Sequence, residues 1–166
     1  MRDANPTLQP DVIADIAAEL WSQLERGRAS LVQLFGQDGQ QPVSHRVDRD
    51  NKCLWFIGAA DSGLAAGVTP ACDGQLVFSA PAQDYFACLD GVVERAEDAA
   101  VLDSLWSFAA RAWFDGGRED PNVVLFRFRP QKAAVWTPSA RLQLINPRMV
   151  QFSFNGSSPV HGNAAK

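Results

Sequence analysis

The strongest constraint on the fold is a succession of short segments of strand character, each closed by a turn signal. ASLVQLFG (29–36), QPVSHRVD (41–48), KCLWFIGA (52–59), QLVFSAP (75–81) and YFACLDGVVERA (85–96) follow one another, with Asp38-Gly39, Asp50-Asn51 and Pro81 breaking the chain between them. In QPVSHRVD the residues Gln41, Val43, His45 and Val47 fall on one face and Pro42, Ser44, Arg46 and Asp48 on the other. Residues 123–129 and 132–137 read as a hairpin around Pro130, and RMVQFSF (148–154) as a last strand. So many short strands with so little βαβ alternation point to an antiparallel barrel, closed or split, of six or seven strands. The class is mainly β with helices packed outside.

Two helices are expected to flank it. From Asp11 onward, Val12, Ile13, Ile16, Ala17, Leu20, Trp21 and Leu24 recur at helical spacing, with an acid at the start and Gly27 just past the end, giving a helix over 11–26. A second runs over 97–114, with Leu102, Leu105, Trp106, Ala109 and Trp113 on its apolar side and Glu97, Asp98 and Asp103 favouring its N-terminal half. Residues 1–10 read as a flexible N-terminus, 11–154 as a single domain, and 155–166, small and polar, as a disordered tail.

Composition excludes several function classes. A net charge of −4, with basic residues scattered, supplies no field for nucleic acid or an anionic membrane. The cluster Arg46, Arg49 and Lys52 is interrupted by Asp48 and Asp50 and reads as a solvated strand end. Three cysteines without a C-x-x-C pair make neither a disulfide framework nor a zinc knuckle, and two histidines do not make a His-rich metal site. With no signal-peptide pattern and no apolar run near 18 residues, the expectation is a soluble cytoplasmic protein. No Ser/His/Asp set, P-loop or G-x-G-x-x-G occurs, so hydrolase and nucleotide-triphosphatase readings lack support. Asp120 before Pro121 reads as a turn, and the carboxylates at 90, 94, 97 and 98 as a solvated run.

Three segments carry a family signal: VDRDNKCLWFIGAADSG (47–63), AWFDGG (112–117) with EDPNVVLFRF (119–128), and AAVW (133–136). In order and spacing they resemble the general-stress-protein branch of the pyridoxamine-phosphate-oxidase-like split barrels, over about residues 12–137. The resemblance implies FMN as cofactor, a homodimer with FMN at the subunit interface, and redox chemistry carried by the flavin. Five tryptophans and ten phenylalanines, more aromatic surface than a small barrel readily hides, also favour a homodimer. The implied cofactor-binding residues are Gln41, Pro42, Val43, Ser44, His45, Phe56, Ile57, Gly58, Ser62, Trp113 and Trp136. No catalytic residue and no metal ligand stands out.

The chain departs from the family pattern at the phosphate end. Gln41-Pro42-Val43 stands where the family carries Arg-Pro-Met, Gly58 where it carries threonine, and Leu64 where it carries lysine. A hydrogen bond to a charged group contributes about 1.5–3 kcal/mol. Two such losses weaken phosphate binding by roughly 10²- to 10⁴-fold. Individual residues keep two readings each. His45 is a ligand contact or a partly exposed barrel-strand histidine, and Ser62 a phosphate contact or a plain helix N-cap. Trp113, Phe114 and Trp136 wall a flat ring or fill a dimer interface. Two functions follow: an FMN-binding, stress-related redox protein with a weakened phosphate grip, or a non-catalytic homodimer that has lost FMN. The second would bind another planar ligand, a deazaflavin or haem, or serve a structural role.

Overall fold

Eight strands and four helices form among the described residues, which in this computed structural model are 10–106, 108–137 and 148–154. The helix α1 (Pro10–Gly27) precedes β1 (Ala29–Leu34), β2 (Gln41–Ser44), β3 (Arg46–Asp48) and β4 (Cys53–Ala59). A short α2 (Gly63–Gly67) leads to β5 (Ala71–Ser79) and β6 (Phe86–Ala96). Then come α3 (Ala99–Leu105), α4 (Phe108–Arg111), β7 (Val123–Thr137) and β8 (Arg148–Ser153). The expected N-terminal segment before residue 10 and the tail after residue 154 lie outside the described residues.

All strand pairs are antiparallel, in the order β2-β1-β5-β6-β7-β4-β3, with β8 also paired to β7. The two ends of that order are joined by a single residue. β2 pairs with β1 and β3 pairs with β4, so the chain crosses from one edge of the sheet to the other at His45. That crossing curls the sheet into a split barrel. Counted as the one extended segment they nearly form, β2 and β3 bring the total to the expected seven. The unbroken strand expected over 41–48 is corrected: His45 interrupts the ladder and donates its backbone N–H to the carbonyl of Arg28 at 2.8 Å, while the expected alternation persists, with Gln41, Val43, His45 and Val47 buried or half-buried and Pro42, Ser44 and Arg46 exposed.

The interior follows the period of two. Val32 and Leu34 of β1, Leu76 and Phe78 of β5, and Ala87, Leu89 and Val93 of β6 are buried, with half-buried or exposed residues between them. Phe56 and Phe126 stack at 5.5 Å between ring centroids. Leu20, Trp21 and Leu24 of α1 and Leu64, Ala65 and Val68 at α2 join the same core.

Two further expectations about elements are overturned. The hairpin around Pro130 does not form, because 123–137 is one 15-residue strand paired with β6 along its length. Asp90 pairs with Lys132 but Gly91 with Pro130, so Gln131 is an extra residue, a β-bulge. Before the bulge Phe126, Phe128 and Pro130 are buried, and after it Ala133 and Val135 are. One inserted residue restores the inward face, and the bulge accommodates a proline that a regular ladder would reject. Gly91 opposite is forced by closeness: a Cβ there would stand 2.2 Å from the carbonyl oxygen of Arg129.

The single helix over 97–114 is also corrected. Asp98 caps α3, accepting the Val101 N–H at 3.0 Å, but Trp106 is extended and the helix restarts as the short α4. In a straight helix Trp106 and Phe114, eight residues apart, would be separated by about 12 Å of rise. The break lets their ring centroids approach to 6.0 Å. No described helix is long and apolar enough to cross a membrane.

Candidate functional site

The barrel is incomplete along one line. β3 covers only Cys53–Trp55 of β4, so among the described residues the edge of β4 beyond Trp55 has no ladder partner on the side away from β7. Across the gap lies β2, whose only described ladder partner is β1. Unpaired strand edges present backbone N–H and C=O groups. Here two such edges approach each other at the split.

A third wall comes from the α3–α4 segment. Cys53, Trp55 and Leu125 form a second apolar cluster on the outer face of the sheet, against which Ala96, Val101 and Leu105 pack. That cluster seats α3 across β4. Ile57 and Ala59 share the outward parity of Cys53 and Trp55, so they face the same helical segment. The result is a cleft of about 470 Å³ lined by Pro42, Val43, Ser44, Ile57, Gly58, Ala59, Leu105, Ala110, Trp113 and Phe114. Phe114 is 8% exposed and forms a wall, whereas Trp113, 83% exposed, stands at the mouth.

Six of the eleven residues expected to bind a cofactor therefore meet in one cleft: Pro42, Val43, Ser44, Ile57, Gly58 and Trp113. Gln41 lies beside it, its side-chain Nε2 3.0 Å from where a Cβ on Gly63 would be, so the amide covers the first turn of α2. Ser62 is the N-cap of that turn and accepts the Ala65 N–H at 3.1 Å. Phe56 points the other way, fully buried in the core. Trp136 sits near the far end of β7, opposite Phe86 and Met149, and does not line the cleft.

His45 faces the barrel interior at 3% exposure. Its Nε2–H donates to the Leu24 carbonyl at 2.8 Å, which leaves Nδ1 to accept from the Ser30 hydroxyl at 2.9 Å. Burial holds its pKa below the ordinary value, against the opposing effect of the Leu24 hydrogen bond. Both ring nitrogens serve the fold, tying the end of α1 to β1 at the corner between β2 and β3.

Leu64 also belongs to the interior, at 4% exposure. Gly58 contributes backbone to the cleft, since a Cβ on it would point at Phe126 Cε2, 2.9 Å away. Phe114 lines the cleft in keeping with one of its two readings, whereas Ala59, Leu105 and Ala110 line it without having been expected to. The strand period places Ala59 beside Ile57, so that one was within reach. Leu105 and Ala110 depend on the helix break.

No side chain lining the cleft is titratable. Beneath it the Cys53 thiol is pushed up to about 11 by burial, with Asp48 adding to the effect, so it is neither a thiolate nor a nucleophile near neutral pH. Asp120 accepts the backbone N–H groups of Gly116 and Asn122, each at 2.9 Å, which lowers its pKa and makes it a turn residue. No group of three or more potential metal-binding side chains occurs among the described residues. What the cleft can do chemically is hold an apolar, flat molecule against two backbone edges.

Comparisons with known proteins agree with this architecture. A protein described as general stress protein 26 from Jannaschia sp. CCS1 superposes with a TM-score of 0.74 at 34% identity, over 85% of this chain and 99% of that one. A general stress family protein of Xanthomonas campestris pv. campestris gives 0.69 at 27% identity, over 82% and 94%. The general stress FMN/FAD binding protein of Xanthomonas citri gives 0.69 at 28% identity, over 78% and 94%. Comparison with curated proteins gave no match. The family model described as pyridoxamine 5'-phosphate oxidase like matches residues 15–159. With that match across most of the sequence and the split barrel it requires, the chain belongs to the pyridoxamine 5'-phosphate oxidase-like family.

Proposed function

We propose that the protein binds a flavin, FMN in the first instance, in the cleft between β2, β4 and the α3–α4 segment. The observation that carries this reading is the convergence of Pro42–Ser44, Ile57–Gly58 and Trp113 on one cleft of about 470 Å³. That volume is in the range of small-molecule and cofactor sites. The residues present suit the ring of the cofactor. Ile57, Leu105 and Phe114 supply apolar walls, the free edges of β2 and β4 supply backbone donors and acceptors for its polar rim, and Trp113 is placed to cover it. The name of the Xanthomonas citri protein, 28% identical, supports the same cofactor.

The phosphate is served less well. Gln41 and Ser62, both neutral, stand at the first turn of α2, and each offers at most an uncharged hydrogen bond. The grip on FMN is therefore weaker than one built on an arginine and a lysine. A bound flavin supplies the electron-transfer chemistry, so the function proposed is that of a stress-related redox protein. This chain's residues orient the ring and shield one side of it from water.

The assembly proposed is a homodimer. Trp113 at 83% exposure, together with Phe35 at 50% and Leu31 at 39%, is more large apolar surface than a monomer gains from leaving in water. A mass corresponding to two chains at micromolar concentration is expected; a single-chain mass would contradict it. For the cofactor, the test is the visible spectrum with added FMN. Saturable binding with flavin absorbance retained after gel filtration supports the reading, and a colourless protein that ignores flavins refutes it.

A further inference from the structure

The cleft carries no charged side chain among its described lining residues. Among its described lining residues only the Ser44 hydroxyl and the Trp113 indole N–H are polar side-chain groups, and none is cationic. Several cations elsewhere in the described structure are engaged, and Arg46, exposed on β3 beyond Ser44 and His45, does not line the cleft. Arg95 donates to the carbonyls of Val68 and Ala65, at the C-terminal end of α2 and away from Gln41. Arg127 and Arg129 are held by Glu94, Arg49 by Glu25, and Arg118 by Asp103. Arg111, on α4 next to Ala110, is exposed and does not line the cleft. Leu64, after the Ser62-Gly63 cap, is turned into the core, so that position does not deliver a side chain to the cleft either.

A phosphate dianion partly buried here would meet neutral donors only, and an uncompensated ion in a low-dielectric setting is strongly disfavoured. The ring has no such difficulty. Resting on the flavin reading above, we infer that the ligand class of this cleft is an uncharged planar heterocycle of the riboflavin type, and that the phosphate of FMN adds no affinity. In a site with a built phosphate pocket, each charge-assisted bond would favour FMN by about ten- to a hundredfold.

The experiment is a pair of fluorescence-quenching titrations on the full chain, with riboflavin and with FMN, at low and at high salt. The expected result is that the two dissociation constants agree within about threefold and that neither depends on salt. FMN binding tenfold or more tighter than riboflavin, weakened by salt, would overturn the inference and leave the flavin reading standing. Binding of neither would refute the flavin reading, and the inference with it. Gln41→Arg, at a half-buried position over the first turn of α2, provides the second arm. It should tighten FMN by about tenfold or more while leaving riboflavin unchanged. Equal changes for both ligands would contradict the assignment of the phosphate end.

Discussion

At the residue scale, several side chains expected at the candidate site are turned away from the cleft. Leu64, which the resemblance sets at a lysine position, is 4% exposed in the main core. Leu64→Lys would have to bury an ammonium or displace α2. It is expected to cost about 3 kcal/mol or more of stability and to leave FMN affinity no higher. A thermal melt with an FMN titration checks this; a fully stable variant with tighter FMN would show that the side chain at 64 reaches the anion. His45 shows how far spacing can be read. Its parity with Gln41 was visible in the sequence and persists in the burial pattern, but nothing local announced that Ser30 and the Leu24 carbonyl would take both ring nitrogens and make a candidate ligand contact an interior hydrogen-bond hub.

His45 also sets a pH dependence. Burial holds its folded-state pKa below 6.5, so the unfolded chain takes up a proton that the folded chain resists. Stability from this residue is fully present above 6.5 and is lost as pH falls through 6.5 towards the folded-state value. Among the described residues no charged side chain pairs with the ring; its partners are Ser30 and the Leu24 carbonyl, with Phe78 edge-on at 6.0 Å. Glu25 and Asp48 have lowered pKa values and matter only below their ordinary 4.5 and 3.8, a separate window. The denaturation midpoint of the wild type should therefore fall between about pH 7.5 and about pH 5.5, and that of His45→Gln should change less over the same interval. Parallel dependences in the two proteins would remove His45 as the cause.

At the element scale, the strands between 29 and 96, apart from the corner at His45, and the helix α1 were legible because each shows one period and one set of turn signals. The two failures share a cause. Pro130 and the residues 97–114 carry local signals that the fold overrides: a bulge absorbs the proline, and the helix is broken at Trp106, whose ring then packs on Phe114. Neither the Gly91–Pro130 pairing nor the packing on Cys53 and Trp55 is written locally. Gly91→Ala tests the bulge directly, because its Cβ would meet the Arg129 carbonyl oxygen at 2.2 Å, a backbone atom with no rotamer to yield. A loss of about 2 kcal/mol or more in chemical denaturation is expected. A change within about 0.5 kcal/mol would mean the strands are not so close.

At the scale of the whole molecule, one topological event creates the site. The chain leaves β1 through β2, turns at His45 and rejoins β4 as β3, closing the barrel at one end and leaving the edges of β2 and β4 apart at the other. The α3–α4 segment, seated on the outer face of β4, makes that gap a cleft. The split barrel could be read from strand spacing and from the resemblance together, and so could the β2 and β4 walls. The helical wall could not, because it depends on the break at Trp106. The most direct test is a riboflavin titration of the wild type beside Ala59→Trp, which fills the cleft from its β4 wall. Saturable binding of one flavin per chain by the wild type, abolished or weakened at least about tenfold in the variant, is expected. No saturable binding by the wild type, or equal binding by both proteins, would contradict a flavin site in this cleft.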